Sequence, residues 1–236
     1  MIHQLHRAAL GLFAAGCLAC FASPAWAVDI GTTNTFEGAG AIGWSSGFNH
    51  PSPPTRVASG GPGGVGDAFL LLTALGSGAG GKLVSFSGAE WGGDYLAAQI
   101  TGIRMDVRLI SGTLLNLRLA VDGGPGSAVS ASPVTLTGAG SGWMSVLFPL
   151  RPADLAGGAV GDVLAHASRL RLIGTSAVGT APVDVLAQLG VDNITAVPEP
   201  ASAWTLMLGL AALAVGLRAR HGRRRHTPGA AAGIFH

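Results

Sequence analysis

Cysteine is absent from all but the start of this 236-residue chain: its two cysteines, Cys17 and Cys20, precede residue 28. Nothing after them can form a disulfide, although an oxidising compartment would permit one. No H-E-x-x-H and no usable cysteine pair occurs, which excludes the common zinc ligand sets. Charge is scarce too, at 11% of residues against 48% apolar, so the chain is not built like a disordered segment. Extended 3.6-residue periodicity and internal repeats of 20–50 residues are both missing, which leaves neither a helical domain nor a solenoid.

What is present begins at the two ends. His3, His6 and Arg7 make a weakly basic start, Ala8 to Phe21 is apolar, and Ala25-Trp26-Ala27 is a small-x-small cleavage site. This is the pattern of a secretory signal peptide over residues 1–27, with a mature start near Val28. A lipoprotein site at Cys17 is disfavoured because Ala14 stands where such signals carry Leu. At the other end Val197-Pro198-Glu199-Pro200 leads into 17 uncharged residues, Ala201 to Leu217, and then Arg218, Arg220, Arg223, Arg224 and Arg225. As a helix the run spans roughly 26 Å, enough to cross a hydrocarbon core. The arginines act as a stop-transfer signal and stay cytoplasmic, with the Pro-Glu-Pro outside. The short motif at 198–200, the single span at 201–217 and the basic cluster at 218–226, in that order, resemble the PEP-CTERM sorting tail of Gram-negative bacteria. The resemblance covers residues 197–226; a further 227–236, longer than expected, is read as a disordered end. It implies an exosortase-type transpeptidase as partner. It also implies export through the inner membrane as a C-terminally anchored precursor, processing near Pro198–Pro200, and delivery to the cell surface or beyond.

Between the ends, Val28 to Pro200 carries 8 basic and 12 acidic side chains, a net charge of −4. The excess positive charge of the chain belongs to the tail, so a nucleic-acid partner is excluded. Ile103 to Leu109 and Leu114 to Val121 alternate apolar and polar residues, the mark of strands with one buried face. The Ser111-Gly112-Thr113 turn between them predicts a hairpin. Further strands are expected at 33–37, 67–73, 82–87, 134–137, 143–148, 168–173 and 186–194, with helical turns at 153–155 and 162–167. Eight or nine short strands with glycine-rich turns predict an all-β, antiparallel β-sandwich over residues 28–196, jelly-roll-like.

A second resemblance follows from Phe36-Glu37-Gly38 with Gly43-Trp44, Gly66-Asp67-Ala68-Phe69-Leu70, Trp91-Gly92-Gly93-Asp94-Tyr95, Leu117-Arg118-Leu119 and Leu189-Gly190-Val191-Asp192-Asn193-Ile194. This order is similar to laminin B-type and carbohydrate-binding jelly rolls. The resemblance implies neighbouring first and last strands with a structural calcium ion between them, which makes Glu37 and Asp192 candidate ligands. It also makes polysaccharide a candidate partner. Sugar recognition uses aromatic faces beside polar groups, which points to Trp91, Asp94 and Tyr95; Trp143, inside an expected strand, reads as core.

Other motif matches lack their structural context. The G-x-G-x-x-G runs at Gly38 and Gly61 are followed by prolines or by a strand, not by a helix. Gly76 to Lys82 lacks the Ser or Thr that a P-loop needs after its lysine. Gly43-Trp44-Ser45-Ser46-Gly47 cannot be a nucleophile elbow ahead of Pro51, Pro53 and Pro54, and His50 and His166 complete no triad. The expectation is a non-enzymatic surface or matrix protein with a structural or adhesive role. One alternative is a carbohydrate-binding module associated with exopolysaccharide. The other is a glycoside hydrolase using Asp94 with Asp106 or Glu90.

Overall fold

The computed structural model describes residues 27–38 and 43–198. Twelve strands appear among them: Thr33–Asn34 (β1), Thr55–Val57 (β2), Phe69–Leu75 (β3), Val84–Phe86 (β4), Gly102–Ser111 (β5), Leu114–Gly123 (β6), Gly126–Ser130 (β7), Val134–Thr137 (β8), Met144–Pro149 (β9), Leu155–Ala156 (β10), Ala167–Gly174 (β11) and Leu186–Val197 (β12). One short helix, Val160–Ala165 (α1), and 3-10 turns at Ala89–Trp91 and Pro152–Asp154 complete the elements. All strand pairing is antiparallel. One sheet runs β2-β3-β12-β5-β9 with β1 also on β12, and the other runs β10-β7-β6-β11-β4 with β8 on β6. This is the two-sheet sandwich that the alternating strands predict.

The inner faces follow the two-residue period. Ile103, Met105, Val107 and Leu109 of β5 are fully buried and face Leu115, Leu117, Leu119 and Val121 of β6 within one core cluster. Of their alternating partners, expected to face water, Arg104 is exposed, whereas Asp106 and Arg108 are half-buried. The hairpin, however, does not exist: β5 pairs with β12 and β9, whereas β6 pairs with β11, β7 and β8. The Ser111–Thr113 link carries the chain from one sheet to the other, because both strands have an apolar face that must meet across the core. Gly112 makes the corner possible: its φ is +110°, and a Cβ there would lie 2.8 Å from the Leu186 carbonyl oxygen.

β12, the longest strand, sits between β3 and β5. Its inward residues are Ala187, Leu189 and Val191, then Ile194 and Ala196. The parity changes at a bulge: Asp192 pairs with Asp106 and Thr195 with Arg104, so β12 has one extra residue, Asn193, at φ +49°. The strand continues to Val197, paired with Gly102, one residue into the predicted tail. Val28, the predicted mature start, is buried and donates its N–H to the Gly92 carbonyl.

Among the described residues no helix is long and apolar enough to cross a membrane. The predicted signal peptide, the 201–217 span, the arginine cluster, Glu199, Pro200 and the 227–236 end lie outside the described residues, save Ala27 at the cleavage site.

Candidate functional site

Three places bear polar chemistry. The first surrounds Asp192. Its side chain lies on the outer face of its sheet, yet it is fully buried, and its Oδ2 has no hydrogen-bond partner. Its Oδ1 accepts the Asn193 backbone N–H at 2.7 Å. Burial, reinforced by the charges of Asp67, Glu37 and Asp106, pushes the Asp192 carboxyl up to about 7. Each neighbour is already held: Glu37 Oε1 accepts from the Ala68 N–H at 2.9 Å, Asp67 Oδ2 from the Gly63 N–H, and Asp106 Oδ2 from Asn193 Nδ2 at 2.8 Å.

The fold thus brings Glu37 and Asp192 within electrostatic reach of each other, and it adds Asp67 and Asp106, which the sequence reading left out. A loop acid 125 residues upstream of Asp192 carries no sequence signal of that neighbourhood, and Asp106 enters it only through the pairing of β5 with β12, which alternation does not reveal. Among the described residues no three His, Cys, Asp or Glu side chains form a ready-made metal cage. The oxygens gathered here are all carboxylate, and the unpartnered Asp192 Oδ2 is the one of them suited to a hard divalent cation such as calcium. Asp192 and Glu37 would hold it, and the ion would supply charge neutralisation and a tie between the N-terminal segment and the last strand.

The second place concerns the aromatic rings. Trp91 and Tyr95 are both fully buried, so neither offers a face to a sugar, contrary to the sequence expectation. The Tyr95 hydroxyl donates to the Trp91 carbonyl at 2.9 Å, and burial pushes its phenol pKa up. Asn34 Oδ1 accepts from both Trp91 Nε1 (2.8 Å) and Trp44 Nε1 (2.9 Å), so one amide satisfies two buried indoles. Asp94 caps a turn by accepting the Ala97 N–H. The rings pack because each finds this polar partner inside the core, which spacing in the sequence does not reveal. Trp143 is the converse: it lies before β9, half-buried outside the core, edge-on to Phe69 with centroids 5.2 Å apart, and its Nε1 donates to the Gly60 carbonyl. A Cβ on Gly190 would meet Trp143 Cη2 at 2.8 Å, so glycine makes room for the ring. Phe48, 96% exposed, stands apart from this packing.

The third place is the outer face of the β10-β7-β6-β11-β4 sheet. Asp122 of β6 accepts from Arg171 Nη2 (2.6 Å), Ser127 Oγ (2.7 Å) and Arg169 Nε (3.0 Å). Burial raises its carboxyl pKa, but these donors outweigh burial and hold it below the usual range. The Phe86 ring lies 4.5 Å from the Arg169 guanidinium carbon and 5.8 Å from that of Arg171. Arg118, 2% exposed, donates to the carbonyls of Ser130 and Ser176, its Nε has no partner, and burial lowers its pKa. The segment 176–183 crosses this face, pinned by Arg118 at Ser176 and by Arg171 at Thr180. Beneath lie Ala120, Val129 and Ile173, buried on what the alternation marks as a wet face. A cavity of about 90 Å³ opens where the segment leaves β11, with the buried, unpartnered Thr175 hydroxyl in its wall.

Residues 196–224 match the PEP-CTERM protein-sorting motif, as the tail's resemblance implies. The motif implies export and exosortase-mediated sorting to the cell surface. No curated protein matches the sequence. Among solved structures, an exo-β-agarase is 13% identical over 73% of this chain and 25% of its own, with a TM-score of 0.51. This chain therefore spans about a quarter of that enzyme. A family 11 carbohydrate-binding module from a cellulosomal cellulase of Clostridium thermocellum is 13% identical over 73% of this chain and 96% of its own, at TM-score 0.45. A carbohydrate-binding module specific for non-crystalline cellulose is 12% identical over 72% and 96%, at 0.49. The chain thus carries a PEP-CTERM sorting motif at its C-terminal end, behind a body that is an all-β, two-sheet antiparallel sandwich. At these identities the likeness extends to the fold alone.

Proposed function

We propose that this protein is an exported, surface-sorted β-sandwich with a structural or adhesive role in an extracellular polysaccharide matrix, and that it is not an enzyme. The observation that carries the reading is the sorting-motif match, which begins at Ala196 inside the last strand of a closed sandwich. A folded domain is joined to the sorting signal without a linker, as suits a protein whose task is to be displayed. The arrangement of acids supports a non-catalytic role: Asp106 and Asp192 form a cross-strand pair in which Asp192 is sealed from solvent, and Asp94 is engaged in a turn. A glycosidase needs two carboxyl groups that flank an accessible bond. Calcium at Glu37 and Asp192, with Asp67 and Asp106 adding field, would stiffen the domain rather than react.

Deletion of the gene in the producing cells tests this reading. Intact wild-type cells should be labelled by antibody to the sandwich, and cells lacking the protein should shed surface polysaccharide under shear. Unlabelled wild-type cells, or equal polysaccharide retention in both strains, would sink the proposal.

A further inference from the structure

Three of the eight basic side chains between Val28 and Pro200, Arg118, Arg169 and Arg171, share the outer face of the β10-β7-β6-β11-β4 sheet with one carboxylate, Asp122. The domain as a whole is acidic, so this face is a local reversal of sign. From the geometry we infer that it binds an acidic polysaccharide through the carboxylates of its sugar units; the inference rests on the adhesive reading above and names the ligand chemistry.

The register sets the arginines in a row. Arg169 lies opposite Asp122, Arg171 opposite Ala120, and Arg118 opposite Ile173. Each step moves two residues along the strands, about 6–7 Å, so the positive charges progress diagonally across β11 and β6. Arg169 is the half-exposed end of the row, Arg171 is mostly buried and Arg118 lies under segment 176–183, so a polymer carboxylate meets Arg169 first and reaches the other two only as that segment moves aside.

The face already shows how it holds a carboxylate. Asp122 takes Arg171 on one oxygen and Arg169 on the other, with Ser127 as a third donor. This is charge-assisted recognition with the protein's own acid as guest. After that pairing the row keeps two positive charges in excess. Arg118 is a buried cation that donates to the neutral carbonyls of Ser130 and Ser176 and whose Nε has no partner; Arg171 Nε is likewise buried and unpartnered. A buried cation without a counter-charge is costly, and an incoming anion relieves that cost. Phe86, with the Arg169 and Arg171 guanidiniums over its ring, holds the two cations side by side. Segment 176–183 lies over Arg118 and is tied down through Arg118 and Arg171, so a polymer carboxylate that draws these arginines loosens the segment as it binds.

The test is affinity electrophoresis of the full chain in detergent micelles, with polygalacturonate or neutral dextran cast in the gel. Polygalacturonate should retard the wild type, high salt should release it, and dextran should leave it unaffected. R169Q, at a half-exposed position, should weaken the retardation several-fold. D122N should strengthen it, because it removes the internal competitor, and misfolding would not produce that gain. Absence of retardation overturns the inference. So does retardation unchanged in R169Q, which would place binding in the tail arginines, or a D122N variant no tighter than wild type. Equal retention by dextran in wild type and R169Q would leave the adhesive reading standing and remove this one.

Discussion

Asp192 is the residue on which the stability of the fold turns. A carboxyl whose folded-state pKa is raised binds its proton more tightly folded than unfolded. Its contribution to stability is therefore fully present below the unfolded value of about 4 and is lost as pH rises to about 7, whereas Asp122, held low by its donors, contributes in the opposite sense at acid pH. The full shift corresponds to a loss on the order of 4 kcal/mol. A divalent cation at the orphaned Oδ2 reverses the sign, because it favours the ionised form. Thermal melts of the full chain in chelator should fall in midpoint between pH 4 and 7 and then level off. Calcium at about 100 times its dissociation constant should restore roughly 2.7 kcal/mol at pH 7, several degrees of melting temperature. Asp192→Asn should abolish both the pH slope and the calcium response. Identical melts with calcium and with chelator would leave Asp192 as a buried acid and nothing more. The resemblance to jelly rolls named Glu37 and Asp192 as residues of the first and last strands; Asp192 lies in β12, but Glu37 lies beyond the end of β1. The sequence could not show Asp67, which reaches the cluster through a glycine-rich loop, nor the Asn34 amide that draws Trp44 and Trp91 inward. Ring burial depends on polar partners far along the chain, which local pattern does not encode.

Strands were legible where one face was apolar and the other wet. β5 and β8 match their predicted positions closely, and β6 begins at its predicted residue. Pairing was not legible, because an alternating pattern fixes which face is buried but not which neighbour supplies the hydrogen bonds; thus two consecutive strands that read as a hairpin belong to opposite sheets. β2, β7 and β10 escaped notice because they are short and carry no long apolar alternation. The exposed-face pattern of β6 also misled, since Arg118 is buried with Ser176 bonded to it and Ala120 is buried against Val129 and Ile173. The end of β12 has a functional consequence. Ala196 is buried and bonded to Thr32 and Gly31, and the Val197 carbonyl accepts from Thr101, directly before Pro198. A processing enzyme that acts near Pro-Glu-Pro therefore works against the sandwich itself. A flexible Gly-Ser spacer inserted between Val197 and Pro198 should speed conversion of precursor to processed protein in a pulse-chase experiment. Unchanged conversion would show that the sandwich does not obstruct the enzyme.

At the scale of the whole molecule, a sandwich with its acid cluster on one sheet and Arg118, Arg169 and Arg171 on the other is joined to a C-terminal address. The central claim is that this address moves the sandwich to the cell surface. Replacing Pro198, Glu199 and Pro200 with Ala leaves the apolar run Ala201 to Leu217 and the arginine cluster in place, so membrane insertion should persist. Fractionation of cells expressing each form measures the outcome directly. The wild type should leave the inner membrane for the surface or medium, and the triple variant should accumulate in the inner membrane at full precursor length. Equal surface delivery of both would contradict the account.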